Sequence, residues 1–208
     1  MIRFLSDAWI VSALAGLIGL MIGSFLNVCT LRWPEDESVV FPGSHCPKCG
    51  KPIPWHDNVP VFGYVLLGGR CRACREPISL QYPLVELATG LVWAGMFSYA
   101  GLSFEALRGA LLLTILFGIA LTDARFYIIP DQFSLGGLVL GLGLAFLPGG
   151  IDPLAALLGA VLGFGLLEIV AVAGKWMFKK DAMGGGDIKM MAMVGAFVGM
   201  AGVLLTIF

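Results

Sequence analysis

The sequence predicts an all-α polytopic membrane protein, with about six transmembrane helices and a small cytoplasmic zinc-binding insertion. Three observations lead there. The 208 residues are 58% hydrophobic and 13% charged, where soluble domains run near a quarter charged, and the mean hydropathy is +0.91. Uncharged stretches long enough to cross a bilayer recur along the chain. Four of the five cysteines fall in one polar, proline-rich segment. The formal net charge of −1 argues nothing about nucleic acid, and no nucleic-acid partner is expected.

The first span is the uncharged run from Ala8 to Leu31. It is too long for a signal-peptide core and only Arg3 precedes it, so it reads as a retained helix. Cys29 within it reads as a small core residue. Residues 32–82 form the insertion. Leu87 to Phe104, Gln132 to Ile151 and Met190 to Phe208 are further uncharged stretches, each close to the ~20 residues that a crossing helix needs. The runs 109–122 and 153–167 become spans if a flanking charge is tolerated at each edge. Pro148-Gly149-Gly150 marks a turn. The chain therefore divides into a first helix (1–31), the insertion (32–82) and the remaining helices (83–208). No internal repeat is evident.

Orientation follows from lysine and arginine. Alternating six helices places 32–82, 123–131 and 175–189 on one side, with 11 of the 13 basic residues. That side is expected to be cytoplasmic, with the N-terminus outside.

The insertion contains Cys46-x2-Cys49 and, further along, Cys71-x2-Cys74. Paired knuckles supply four thiolates to a tetrahedral ion, and Zn²⁺ suits them best. A reducing cytoplasm disfavours disulfides. Four thiolates leave no open position, so the expected zinc is structural. His45 and His56 read as surface loop residues.

Ionisable groups at membrane depth are functional candidates. Glu86 opens the second helix in QYPLVEL. Asp123 ends the third in LTDARFYIIPDQF, with Asp131 eight residues on. Glu168 lies inside the fifth, where a partner within the bundle is expected. Asp187 opens the sixth in GGGDIKM. Asp123, Asp131 and Asp187 all fall at the cytoplasmic boundary, where two of them could converge. Neighbouring carboxylates can share a proton, activate a water and protonate a leaving amine. The glycines before Asp187 would let an extended backbone approach it. Asp187 could equally be only a helix cap.

These segments, in this order, resemble the type IV prepilin peptidase family. The similarity runs through GSFLNVCTLRWP, the cysteine insertion, QYPLVEL, DARFYIIPD and GGGDIKM. The resemblance implies a bifunctional enzyme of the bacterial inner membrane. It would cleave the short basic leader of type IV prepilins or type II secretion pseudopilins after Gly, at the cytoplasmic face. It would then N-methylate the new N-terminal residue, usually Phe, using S-adenosylmethionine. Asp123 and Asp187 match the catalytic aspartates. Gly184 and Gly186 shape the second motif, and Asp131 is a runner-up that would cap the fourth helix. Lys189 matches a basic residue expected to pair with Asp181 or to position substrate or a carboxylate. For methyl transfer the candidates are Asn27, Arg32, Gly69 and Glu86. Glu86 would hold the incoming ammonium or pair with a loop arginine such as Arg32. Family members usually carry about two further apolar helices, whereas this chain stops at Phe208 inside a span. The alternatives are a non-catalytic zinc-bearing scaffold for pilin precursors, or a peptidase without methyl transfer.

Overall fold

The computed structural model describes residues 2–180 and 183–207, with side chains from residue 8 onward. The chain forms two compact units, Met1–Leu102 and Ser103–Phe208. Among the described residues there is no β-strand, only two isolated bridges.

The first unit is a helical hairpin with the cysteine insertion between its arms. Helices α1 (Ile2–Arg32) and α3 (Gln81–Ala100) pack along a seam of small residues. Gly16, Gly19 and Gly23 recur three and four residues apart, so they share one face of α1. A methyl group at Gly23 would lie 2.7 Å from the Glu86 Cα, and one at Gly19 would lie 2.9 Å from the Gly90 Cα. Backbones that close leave dispersion and hydrogen bonds to hold the pair where lipid supplies no hydrophobic force. Asn27, Thr30, Val85, Glu86, Thr89 and Trp93 are buried beside the seam.

Within the insertion, a 3-10 turn at Trp55–Asn58 precedes the short α2 (Phe62–Leu66). Asp57 is nearly buried and accepts two hydrogen bonds from Arg72, at 2.5 and 2.6 Å. The Arg72 guanidinium holds the Asp57 carboxyl below the usual carboxylate range.

The second unit contains α4 (Phe104–Phe126), α5 (Asp131–Leu144), α6 (Pro153–Phe178) and α7 (Gly185–Ile207). The starts of α4 and α6 carry side-chain caps: Ser103 accepts from the Ala106 N–H, and Asp152 from those of Leu154 and Ala155. Helix α7 is the centre of this unit, buried from Met191 through Phe197. Gly159 of α6 and Gly195 of α7 stand back to back, and Gly137 and Gly141 of α5 receive Met193 and Phe197. At Gly199 (φ 70°) α7 breaks, a left-handed conformation that glycine adopts without the strain of a side chain. Buried Arg108 reaches across from α4 to donate to the Phe197 carbonyl at 2.9 Å, next to that break.

Of the six expected spans, α1, α4, α6 and α7 are long and apolar enough to cross a membrane. Helix α3 begins earlier than expected, at Gln81, and its first half carries Tyr82, Glu86 and Thr89. Helix α5 has 14 residues and rises about 21 Å, short of a ~30 Å core, because it ends at Leu144, ahead of the expected turn, where Gly149 has φ 71° and the Gly150 N–H donates to the Leu147 carbonyl. Glu168 lies on the exposed face of α6, so the expected partner inside the bundle is not found there.

Candidate active site and metal centre

Two local features place the aspartate motifs. Asp123 lies in the last turn of α4, exposed, and its carbonyl accepts the N–H of Tyr127, the left-handed residue (φ 56°) that ends the helix. A carboxylate there opposes the helix dipole, a placement with no structural benefit. Asp187 lies in the first turn of α7, half-buried, with its N–H donating to the Gly184 carbonyl at 3.2 Å. The same dipole favours a carboxylate at that end.

The two motifs meet. Gly186 packs against Ile129 of the segment that follows α4, where an added methyl would lie 2.9 Å from the Ile129 Cβ. Lys189, one turn into α7, donates to both carboxylate oxygens of Asp131 at 2.7 and 2.9 Å. The loop after Asp123 is thereby seated on the turn that carries Asp187, by a close contact on one side and an ion pair on the other. The glycines differ in use. A methyl at Gly184 would crowd the Asp187 Oδ2 at 3.1 Å, whereas one at Gly185 would meet nothing within 4 Å. The spacing of the motif thus matches its packing.

One expectation changes. Asp131 does not cap α5. The cap position is Pro130, Asp131 is the first helical residue, and its carboxylate holds Lys189. The alternative partner for Lys189, Asp181, lies outside the described residues.

In the insertion the four thiols converge. The sulfurs of Cys46, Cys49, Cys71 and Cys74 all lie within 4.8 Å of one another. A tetrahedral ion with metal–sulfur bonds of ~2.3 Å holds its sulfurs about 3.8 Å apart, and the Cys46–Cys74 separation is 3.8 Å. The cysteines therefore fit a thiolate-bound metal ion. Backbone N–H groups help to make thiolates. Those of Cys49 and Lys48 lower Cys46, and those of Cys74 and Ala73 bring Cys71 down to about 6. The Glu76 N–H favours the Cys74 thiolate, but desolvation and the neighbouring sulfurs outweigh it and push that thiol to about 12. Four crowded thiols do not all ionise without a cation among them. His45 is exposed beside the cluster, its Nδ1 3.0 Å from the Gly43 carbonyl.

The knuckles are a repeat that the sequence reading missed. Cys46 N–H donates to Lys51, Gly50 to Cys46 and Ile53 to Ser44; Cys71 donates to Glu76, Arg75 to Cys71 and Ile78 to Gly69. The left-handed residues Gly50 (φ 68°) and Arg75 (φ 63°) correspond as well. The visible signal was C-x2-C-x2-P-I, present in both CPKCGKPI and CRACREPI.

The structure separates the four methyl-transfer candidates. Asn27 and Glu86 share the α1–α3 seam: Asn27 donates to Tyr82 O of α3 at 3.1 Å, and Glu86 is held by the Val61 N–H at 2.7 Å and by Ser24 of α1. Arg32 does not pair with Glu86. Its guanidinium donates to the Ser38 and Pro42 carbonyls and shapes the loop before the first knuckle. Gly69 lies under the Tyr64 ring, which a side chain there would strike.

The family model described as Bacterial Peptidase A24 N-terminal domain matches residues 17–100, and the one described as Type IV leader peptidase family matches 110–208. Among curated proteins, the Prepilin leader peptidase/N-methyltransferase of Neisseria gonorrhoeae is 37% identical, covering 94% of this chain and 77% of that protein. The protein of that name from Klebsiella pneumoniae is 39% identical over 88% of this chain and 83% of its own length. That from Myxococcus xanthus is 39% identical over 91% of this chain, which spans 57% of its length. No solved structure matches.

Proposed function

This chain belongs to the type IV leader peptidase family, and on that premise we propose that it is an aspartyl endopeptidase of the bacterial inner membrane. It cleaves the basic leader of prepilins or pseudopilins after Gly and N-methylates the new terminus. The contact of Gly186 with Ile129 carries this reading, because it seats one aspartate motif on the other. In the reading, Asp123 and Asp187 share one proton. The ionised carboxylate takes a proton from a water, which adds to the scissile carbonyl. The protonated one donates to the departing amine as the C–N bond breaks. Lys189 and Asp131 hold the frame in which the two carboxylates meet.

The four cysteines hold Zn²⁺ in this reading, as a structural ion for a segment whose one α-helix has five residues. S-adenosylmethionine supplies the methyl group when bound. With Arg32 committed to loop carbonyls and Gly69 to packing, Asn27 and Glu86 remain to handle the substrate amine. The bias of basic residues to 32–82, 123–131 and 175–189 supports a cytoplasmic position for both activities.

The test is a precursor peptide incubated with the protein and labelled S-adenosylmethionine. Asp123→Asn and Asp187→Asn should each abolish cleavage, and cleaved product of the unaltered chain should carry label. Cleavage by both variants would remove the aspartyl mechanism. Unlabelled product from metal-loaded protein would remove methyl transfer.

A further inference from the structure

Val61 has φ 62° and ψ −51°, a conformation in which a β-branched residue is an outlier. The Phe62 N–H donates to the Pro60 carbonyl at 2.6 Å, closing a three-residue γ-turn of the rare, strained hand. Such strain persists where the surroundings over-determine it, and it points to function.

The surroundings here are Glu86. The turn leaves the Val61 N–H free to donate to the Glu86 Oε2 at 2.7 Å. Glu86 is 7% exposed, on the face of α3 that meets α1, with the Ser24 side chain as its other partner. A carboxylate accepts at about four positions, so two donors leave about two unfilled. Among the described residues no lysine, arginine or histidine pairs with it. Asn27 lies in the same seam, three residues after Ser24, and Tyr82 precedes Glu86 by one turn. Asn27 is 1% exposed, and its Nδ2 donates to the Gly23 and Tyr82 carbonyls. Those two bonds assign the amide, leaving Oδ1 buried with no donor. Buried acceptors without partners are rare and ask for a ligand or another explanation. Here one orphaned carbonyl and a part-filled carboxylate lie about one helical turn apart on the same seam, both acceptors. The matching ligand has only donors and a positive charge, which describes an ammonium group.

We propose that this niche holds the α-ammonium of the peptide freed by cleavage, and that Val61 is a positioning residue that aims Glu86 through its backbone N–H. The inference rests on the methyl-transfer reading above for the identity of that amine. It makes the N-terminus of the product, rather than its side chains, the group recognised in the first unit.

The test uses the full, metal-loaded chain in nanodiscs. Two versions of one peptide, beginning with Phe and an apolar run, compete for binding: one with a free amine, one N-acetylated. At least a tenfold preference for the free amine is expected. Glu86→Gln, which is isosteric, and Asn27→Leu should reduce it below twofold. Val61→Pro, which removes the N–H and cannot adopt a positive φ, should do the same. Val61→Gly keeps the N–H and accepts a positive φ, and should retain the preference. Metal content measured on each variant reports that the insertion is folded. Absence of preference in the unaltered chain, or its survival in metal-replete Glu86→Gln, overturns the niche. Its survival in Val61→Pro overturns the positioning role. Labelled methyl transfer on the same samples separates the readings: preference without label supports the niche and refutes methyl transfer, whereas label without preference refutes the niche alone.

Discussion

Gly186→Ala tests the junction between the two aspartate motifs. The added methyl would lie 2.9 Å from the Ile129 Cβ, 3.4 Å from its Cγ1 and 3.5 Å from its Cδ1. Non-bonded carbons settle at about 3.5–4.0 Å, so the first contact is short by roughly 0.6 Å or more. The atom struck is a branch-point carbon rather than the end of a flexible chain, so rotamer change gives little relief and the segment before Asp131 must move. Overpacking of this kind costs about 1–3 kcal/mol. Alanine in place of glycine in a helix returns up to about 1 kcal/mol, leaving a net loss of about 0–3 kcal/mol. Catalysis is less forgiving, because a displacement near 1 Å of the reacting groups can cost about 10²-fold. Gly186→Ala should therefore stay folded, with Tm only a few degrees lower, while kcat for leader cleavage falls about 10- to 100-fold. Gly185→Ala, with open space at the same turn, should cleave normally. Ile129→Gly combined with Gly186→Ala removes the colliding carbon and should restore much of the rate. Wild-type kcat in Gly186→Ala would refute the argument, and so would a double variant no faster than the single one.

Three further outcomes follow from the same geometry. Arg108→Leu leaves the Phe197 carbonyl beside the α7 break without its donor, and should lower stability by about 1–3 kcal/mol, read as a shift in denaturation midpoint; an unchanged midpoint would show that water or lipid replaces the guanidinium. Removing metal with a chelator should open 44–78 to proteolysis while the helical circular-dichroism signal barely changes, since that segment's only α-helix has five residues; identical digestion with and without metal would refute a structural ion. Asp57 is held below its ordinary range by Arg72, so its ion pair stabilises the fold above the unfolded carboxyl pKa of ~3.9 and is lost as pH falls through the lower folded value. The stability difference between the unaltered chain and Asp57→Asn should accordingly be full at neutral pH and shrink below about pH 4; a gap that widens on acidification would reverse the sign of the argument.

The cysteine cluster and the packing of the glycine motif were legible in linear form because their parts are local. Two C-x2-C knuckles carry their metal geometry in their spacing, and the four sulfurs do converge. The G-x-G-D motif reads directly, since Gly184 and Gly186 sit close to neighbours and Gly185 does not. The all-α membrane class follows from composition, because a backbone in lipid must satisfy its own hydrogen bonds. The knuckle repeat was legible too, in the P-I that follows each C-x2-C pair at the same offset.

What the chain could not disclose by itself is pairing across distance. Asp131 reads as a helix cap until α7 places Lys189 beside it, 58 residues later. Glu86 reads equally as a holder of an ammonium or the partner of an arginine until the γ-turn at Val61 presents an N–H, and no propensity predicts a valine at positive φ. The length of α5 was misjudged because hydropathy measures apolar run, not where a backbone turns. Sequence determined which segments are apolar enough to cross a membrane and which thiols cluster, since both depend on short-range spacing. Tertiary structure alone decided which carboxylates have partners and which acceptors are left open, because a hydrogen bond needs its donor brought to about 3 Å by helices the local pattern does not connect.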